Sequence, residues 1–227
     1  MPPTLSNVLV FTRTTGFRHD SIGPGVAALR NLGSANGFAV EQTEDAARFS
    51  DAGLGPFEVV VFLSTTMDVL GTDQQAAFER FIQAGGGWVG IHAAADTEYG
   101  WPWYGGLLGA NAWFRGHPAI QTAELIVEQA SHPSTSHFPA RFNMQDEWYS
   151  FRANPRPEVT VLLRLNEASY QLESFAMGED HPIAWYHEYA GGRAWYTGLG
   201  HRQEVYADPA FLNHVLGGIR WAAGVAE

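Results

Sequence analysis

Short apolar runs alternate with helical periodicity through the first half of the chain. Val8-Leu9-Val10-Phe11 is a continuous apolar stretch between polar residues, the pattern of a strand buried on both faces. The polar loop Thr12 to Ser21 follows, then a helix over Gly25 to Leu32, ended by Gly33 and the Asn36-Gly37 turn. Phe38-Ala39-Val40 predicts a second strand, left through Thr43-Glu44-Asp45, and Glu58 to Leu63 a third, ending in Ser64-Thr65-Thr66. Thr72 with Gln75 has the form of a capping box opening a helix over Asp73 to Ala84, with Phe78, Phe81 and Ile82 on one face. After Gly85-Gly86-Gly87, Trp88 to Ile91 reads as a fourth strand, ending in His92 and three alanines.

This alternation predicts a three-layer α/β/α fold around a mostly parallel central sheet, with the Val8 strand in its interior. Side chains displayed where buried parallel strands stop lie at the carboxyl edge, where open α/β folds bind ligands. Arg18 and His19, Thr43, Ser64 to Thr66, and His92 occupy four such ends.

Beyond Asp96 the pattern changes. Trp101 to Gly106 and Trp113 to Pro118 are aromatic and glycine-rich, without strand or helix periodicity. The stretch from Tyr99 to His117 is therefore expected to fold over the carboxyl edge, as a lid or as the contact of a homodimer. Ala123 to Glu128 alternates as a strand, His132-Pro133-Ser134 opens a loop, and Asp146 to Phe151 is an acidic aromatic patch. Val159 to Leu165, Ile183 to His187 and Arg193 to Thr197 predict further strands, the last in antiparallel pairing. Gly198-Leu199-Gly200-His201 ends that strand much as Gly90-Ile91-His92 ends the earlier one. Pro209 then starts a closing helix to Ala223, with Phe211, Leu212, Val215 and Ile219 inward. Without a linker or repeat, residues 1–227 read as one domain.

Composition narrows the function. Hydrophobic residues make up 45% and charged residues 16%, enough for a sizeable core. A net charge of -11 argues against nucleic acid or an anionic membrane as partner, and 13 Lys and Arg against a highly phosphorylated substrate. Cysteine is absent, which removes disulfides, thiolate metal sites and cysteine nucleophiles. No apolar run approaches the roughly 18 residues of a membrane span. Met1 to Leu5 has neither a basic start nor an apolar core, so no secretory signal is visible. A soluble, cytoplasmic protein is the expectation.

Nine histidines need sorting. His19, His92, His117 and His201 each follow a strand or a glycine-marked turn, and are expected to share a pocket with Glu147. His132, His137 and His181 neighbour prolines or loops and are expected at the surface, whereas His187 and His214 lie within regular elements as core or helix-face residues. Two chemistries suit such a pocket. Neutral imidazoles bind a divalent ion such as zinc, with Glu147 or Asp96 as oxygen ligand; His19, His92, His117 and Glu147 form the candidate set, although no H-E-x-x-H spacing supports it. Alternatively, a histidine and a carboxylate act as general base and acid near neutral pH. Trp101, Trp103, Tyr104, Trp113, Trp148 and Tyr149 suit stacking on sugar faces, with Arg18 and Asp146 toward hydroxyls; the competing role for these aromatics is core or interface. Ser64 lacks a G-x-S-x-G context, and Gly105 to Gly109 is too loose for a phosphate loop.

Thr15-Gly16-Phe17-Arg18-His19, Gly86 to His92, Gly116-His117-Pro118, Asp146-Glu147-Trp148-Tyr149, Gly200-His201 and Gly218 to Gly224 together resemble the ThuA-like (trehalose utilisation) family of the class I glutamine amidotransferase-like superfamily. The resemblance implies a flavodoxin-like three-layer fold, with His92 at the elbow that carries a nucleophilic cysteine in amidotransferases. Without cysteine, glutamine hydrolysis by the thiolate route is excluded. It further implies a carbohydrate ligand, trehalose or a keto-sugar. Two functions follow: a sugar or keto-sugar isomerase, lyase or hydrolase using His92, His19, His117, His201 and Glu147, or a non-catalytic sugar-binding or regulatory protein. The enzyme requires a carboxylate within hydrogen-bond reach of an imidazole, and the binder does not.

Overall fold

The side chains of Val8–Phe11 and of Val59–Leu63 are fully buried, as continuous apolar runs require of strands covered on both faces. They belong to β1 (Asn7–Phe11) and β3 (Val59–Leu63) of a computed structural model that describes residues 5–225. The other elements are α1 (Ile22–Asn36), β2 (Ala39–Thr43), α2 (Asp51–Leu54), α3 (Thr72–Gln83), β4 (Gly87–Ile91), α4 (Pro102–Leu108), β5 (Phe114–Gly116), β6 (Gln121–Val127), β7 (Arg141–Asp146), β8 (Ser150–Phe151), β9 (Thr160–Leu165), β10 (His181–Tyr189), β11 (Gly192–Thr197) and α5 (Pro209–Ala222).

A nine-stranded mixed sheet runs in the order β2-β1-β3-β4-β11-β10-β9-β6-β7. The first five strands are parallel and the remaining pairings antiparallel. β1 is interior, as expected. β11 pairs antiparallel with β10, as expected, but also parallel with β4, which makes it the join between the two halves. Alternate strand residues face opposite layers. Phe62 stacks on Phe78 of α3 and on Tyr104 of α4, whereas Leu63 packs against Gly25 of α1. Trp88 meets Tyr104, and the preceding Gly87 lies against Ala222 of α5. Helices α1 and α5 thus cover one face and α3 and α4 the other, which gives the three layers.

Four local expectations change. Gly33 does not end α1. It sits inside the helix because α1 approaches β2 so closely that a Cβ there would stand 2.7 Å from the Phe38 carbonyl oxygen; the helix stops at Gly37, with φ 81°. The N-cap of α3 is Gly71, whose N–H donates to the Gln74 side chain at 2.9 Å, and Gln75 instead donates to buried Glu98 at 2.7 Å. Trp101 to Gly106, expected to be irregular, enters α4, which Pro102 starts at a position where its missing N–H costs nothing. The lid expectation for Tyr99 to His117 also narrows: Tyr104, Leu107 and Leu108 are core residues, and the end of the stretch reaches the carboxyl edge. Among the described residues no helix is long and apolar enough to cross a membrane.

Candidate functional site

β4 ends in a sharp turn. His92, its first residue past the strand, has φ 52°, a left-handed conformation unusual for a side chain of this size. Ala93, Ala94 and Ala95 are wholly buried beside it, so small residues give the turn its room. Two contacts pin the elbow: the Tyr196 hydroxyl donates to the His92 carbonyl at 2.8 Å, and His92 Nδ1 lies 2.9 Å from the Gly198 carbonyl oxygen. That oxygen only accepts, so Nδ1 carries the proton and Nε2 of the neutral ring is a bare acceptor.

His92 Nε2 faces His201 Nδ1 at 3.1 Å and Glu147 Oε2 at 3.4 Å, and the last two are 3.1 Å apart. His19, on the loop after β1, sets its ring edge-on to both His92 and His201, with centroids 4.9 and 5.2 Å away. One donor atom from each of His19, His92, Glu147 and His201 lies within 4.8 Å of every other. His117 stands one step out, with Nδ1 3.3 Å from Glu147 Oε1, so the carboxylate serves imidazoles with both oxygens. The structure therefore brings all five residues together in one cluster. The metal-capable quartet differs from the expected set: His201 replaces His117, because the tight turn after Gly200 (φ 113°) carries His201 inward while His117 stays half-exposed.

Burial sets the electrostatics. It pulls His19 down to about 3, with nearby His92 and His201 adding to the effect. Burial alone would raise the Glu147 carboxyl, but the imidazoles of His201 and His92 beside it hold it well below the usual carboxylate range. For His201 burial works against the charged form, yet Glu147 outweighs it and raises the pKa.

Phe17, His19, Asp96, Phe114, His117, Glu147, Tyr149 and His201 line a cavity of about 280 Å³ above this cluster. His92 lies beneath it, its ring 4.1 Å from that of Tyr149. A roomier cleft of about 500 Å³ beside Leu54, Phe57 and Phe81 carries no histidine and lies at the other end of β4, against Gly86. The β5–β8 pair brings in Phe114, which packs on Tyr149 at 4.2 Å. Asp96 accepts from the Tyr99 hydroxyl, and burial raises its carboxyl above the usual value.

Several expected roles change. Asp146 does not reach toward hydroxyls: it is fully buried and accepts from the backbone N–H of Gly200, Arg202 and Glu147, which fixes the His201 turn to the end of β7. Arg18 is exposed and paired with Glu44 at 2.6 Å. Trp113 supports the rim from behind, donating to the Thr97 carbonyl at 3.0 Å. Trp101, Tyr104 and Trp148 are core. His181 is buried rather than at the surface, because it begins the interior strand β10; its Nε2 donates to the Tyr149 carbonyl at 2.8 Å. His132 is likewise buried, against Tyr186, while His137 is exposed and His214 is core, as expected. Phe17 and Phe114 were not anticipated. An apolar residue stranded in a polar loop was a signal for Phe17, which is 66% exposed; beside Trp113, nothing in the pattern marked Phe114 as the ring that faces inward.

A family model described as "ThuA: Trehalose utilisation" matches residues 7–222. A ThuA-like protein from Bacteroides uniformis is 26% identical, with a TM-score of 0.80 over 96% of this chain and 91% of that one. A second, from Parabacteroides merdae, is 19% identical with a TM-score of 0.77 over 96% and 90%, a likeness of fold. A β-galactosidase from Bacillus circulans shares the fold at 13% identity and a TM-score of 0.62, covering 97% of this chain and 31% of its own. No curated protein matches.

Proposed function

Because the chain belongs to the ThuA (trehalose utilisation) family, a membership that implies a role in trehalose utilisation, we propose that it is an enzyme acting on a sugar or keto-sugar in the pocket above His92. One observation carries the reading: Glu147 lies within 3.4 Å of three imidazoles, two through Oε2 and one through Oε1. A carboxylate so placed orients imidazoles and stabilises their charged forms, which is what proton transfer to and from a substrate requires. His117, 38% exposed at the rim, is the proton carrier. Its Nδ1–H is held by the Pro118 carbonyl at 2.9 Å, which leaves Nε2 as the basic nitrogen. Removing a proton beside a keto-sugar carbonyl and returning it elsewhere is isomerisation; expelling a neighbouring substituent instead is elimination. Phe17, Phe114 and Tyr149 offer ring faces for the apolar side of a sugar. The cavity is at the small end for ligand sites and suits one sugar ring. The enzyme works without a thiolate, since the chain has no cysteine.

The test is incubation with trehalose, 3-keto-trehalose and 3-keto-glucosides, followed by NMR in deuterated water. Turnover or solvent-deuterium exchange beside the carbonyl, lost in His117→Ala, is expected. Saturable sugar binding with neither turnover nor exchange would favour the non-catalytic reading.

A further inference from the structure

We propose that His19, His92, His201 and Glu147 form a binding site for one divalent transition-metal ion of the zinc class. The proposal deepens the reading above by naming what the cluster holds. Its test reads metal rather than turnover, so the two fail separately.

Proton accounting carries it first. His92 Nε2 is bare because Nδ1–H is committed to the Gly198 carbonyl. Glu147 Oε2 is an acceptor. His201 Nδ1 has at most one hydrogen, yet it faces both acceptors at 3.1 Å, and those two face each other at 3.4 Å with nothing to share. Lone pairs turned on one another in a buried site cost free energy unless a positive charge stands between them. His19 adds a buried Nδ1 with no hydrogen-bond partner among the described residues.

The spacing agrees. Ligands about 2.0–2.1 Å from a tetrahedral ion stand about 3.4 Å from one another; the separations among His92, His201 and Glu147 are 3.1, 3.1 and 3.4 Å, and the His19 ligand atom lies within 4.8 Å of each. Three imidazoles with one carboxylate suit zinc, cobalt or manganese better than calcium or magnesium, which take oxygen donors. The surroundings are also those of a metal site. The Gly198 carbonyl fixes the His92 tautomer, and His117 Nδ1 stands 3.3 Å from the second oxygen of Glu147. His19, Glu147 and His201 line the cavity, so an ion held by them has a side open to water or a substrate oxygen.

Untagged protein is stripped with a chelator, dialysed against zinc and then against metal-free buffer, and its bound metal measured by mass spectrometry. About one equivalent per chain is expected, falling at least about tenfold in His92→Ala and in Glu147→Gln and unchanged in His137→Ala, which is outside the cluster. Zinc should also raise the melting temperature of the stripped wild-type protein by several degrees, since an ion bound only by the folded chain stabilises it. Cobalt(II) in place of zinc should give the visible absorption of a tetrahedral nitrogen–oxygen site, a readout on wild-type protein that no variant's misfolding affects. Failure of stripped wild-type protein to retain zinc or cobalt, or retention unchanged in folded His92→Ala and Glu147→Gln, overturns the proposal. Metal retention without sugar turnover upholds it and removes the enzyme reading instead.

Discussion

The Asp146 carboxylate accepts the Gly200 backbone N–H at 2.8 Å across 54 residues of sequence. The bond ties the end of an edge strand to the turn that presents His201. Asp146 touches no part of the cavity, yet it sets the distance between Glu147 and His201. Asp146→Ala leaves up to three backbone N–H groups without their acceptor, and each loss costs about 1–3 kcal/mol where the group stays buried. The expected result is a lower urea midpoint together with weakened sugar binding, read by denaturation and calorimetry. A variant that loses stability but binds sugar as the wild type does would show that the clamp does not position His201.

His92→Asn should keep the fold, because asparagine tolerates the left-handed backbone that the elbow requires. It should lose at least about 100-fold in turnover, the usual scale for a displaced acid–base constellation. Circular dichroism and steady-state kinetics on the same preparation separate the two effects.

Acid should destabilise the protein well before ordinary carboxylates titrate. Burial lowers His132 to about 4 and His214 to about 3 in the folded state, from about 6.5. Between those values and 6.5 the unfolded chain binds more protons, so stability is complete above about pH 6.5 and falls as pH drops. At pH 5 each group costs about 2 kcal/mol. His201, raised by Glu147, has the opposite sign: its contribution is full below about pH 6.5 and fades as pH rises through its folded pKa. Urea midpoints at pH 7.5 and pH 5 should therefore differ, and His214→Gln should reduce the difference.

Gly33→Ala tests the close approach of α1 to β2. Alanine is the better helix former by about 1 kcal/mol. Here its Cβ would press on a backbone oxygen at 2.7 Å, which the strand cannot yield cheaply. Net destabilisation of about 1–3 kcal/mol is expected, measured as a shift in melting temperature.

Phe17→Ala should leave stability within about 0.5 kcal/mol, since the ring is mostly exposed, and raise KM for the sugar. An unchanged KM would remove the ring from the binding face.

Much of this was legible in the chain. Strands β1, β3 and β4 are apolar on both faces, so their runs are unbroken, and each ends in polar residues that mark the carboxyl edge. The four histidines of the cluster each follow such an end or a glycine turn, and Glu147 stands in the acidic aromatic patch Asp146 to Phe151. What stayed hidden depends on partners far away in sequence. The burial of His181 comes from β10 being interior, not from its own neighbours, and Asp146 reads as a solvent-seeking acid until Gly200 and Arg202 stand beside it. The choice of His201 over His117 in the inner cluster rests on where two loops cross. Periodicity carries no information about that.

The position of β11 bears on how the chain emerges during synthesis. β4 ends at Ile91, and the strand that pairs with its open side starts only at Gly192. Until then, five fully buried residues of β4 present an uncovered edge of hydrogen-bonding groups, the kind of surface that recruits other chains. The nascent parallel half is thus the stage most exposed to aggregation. A truncation before β11 should yield insoluble material rather than a smaller folded unit.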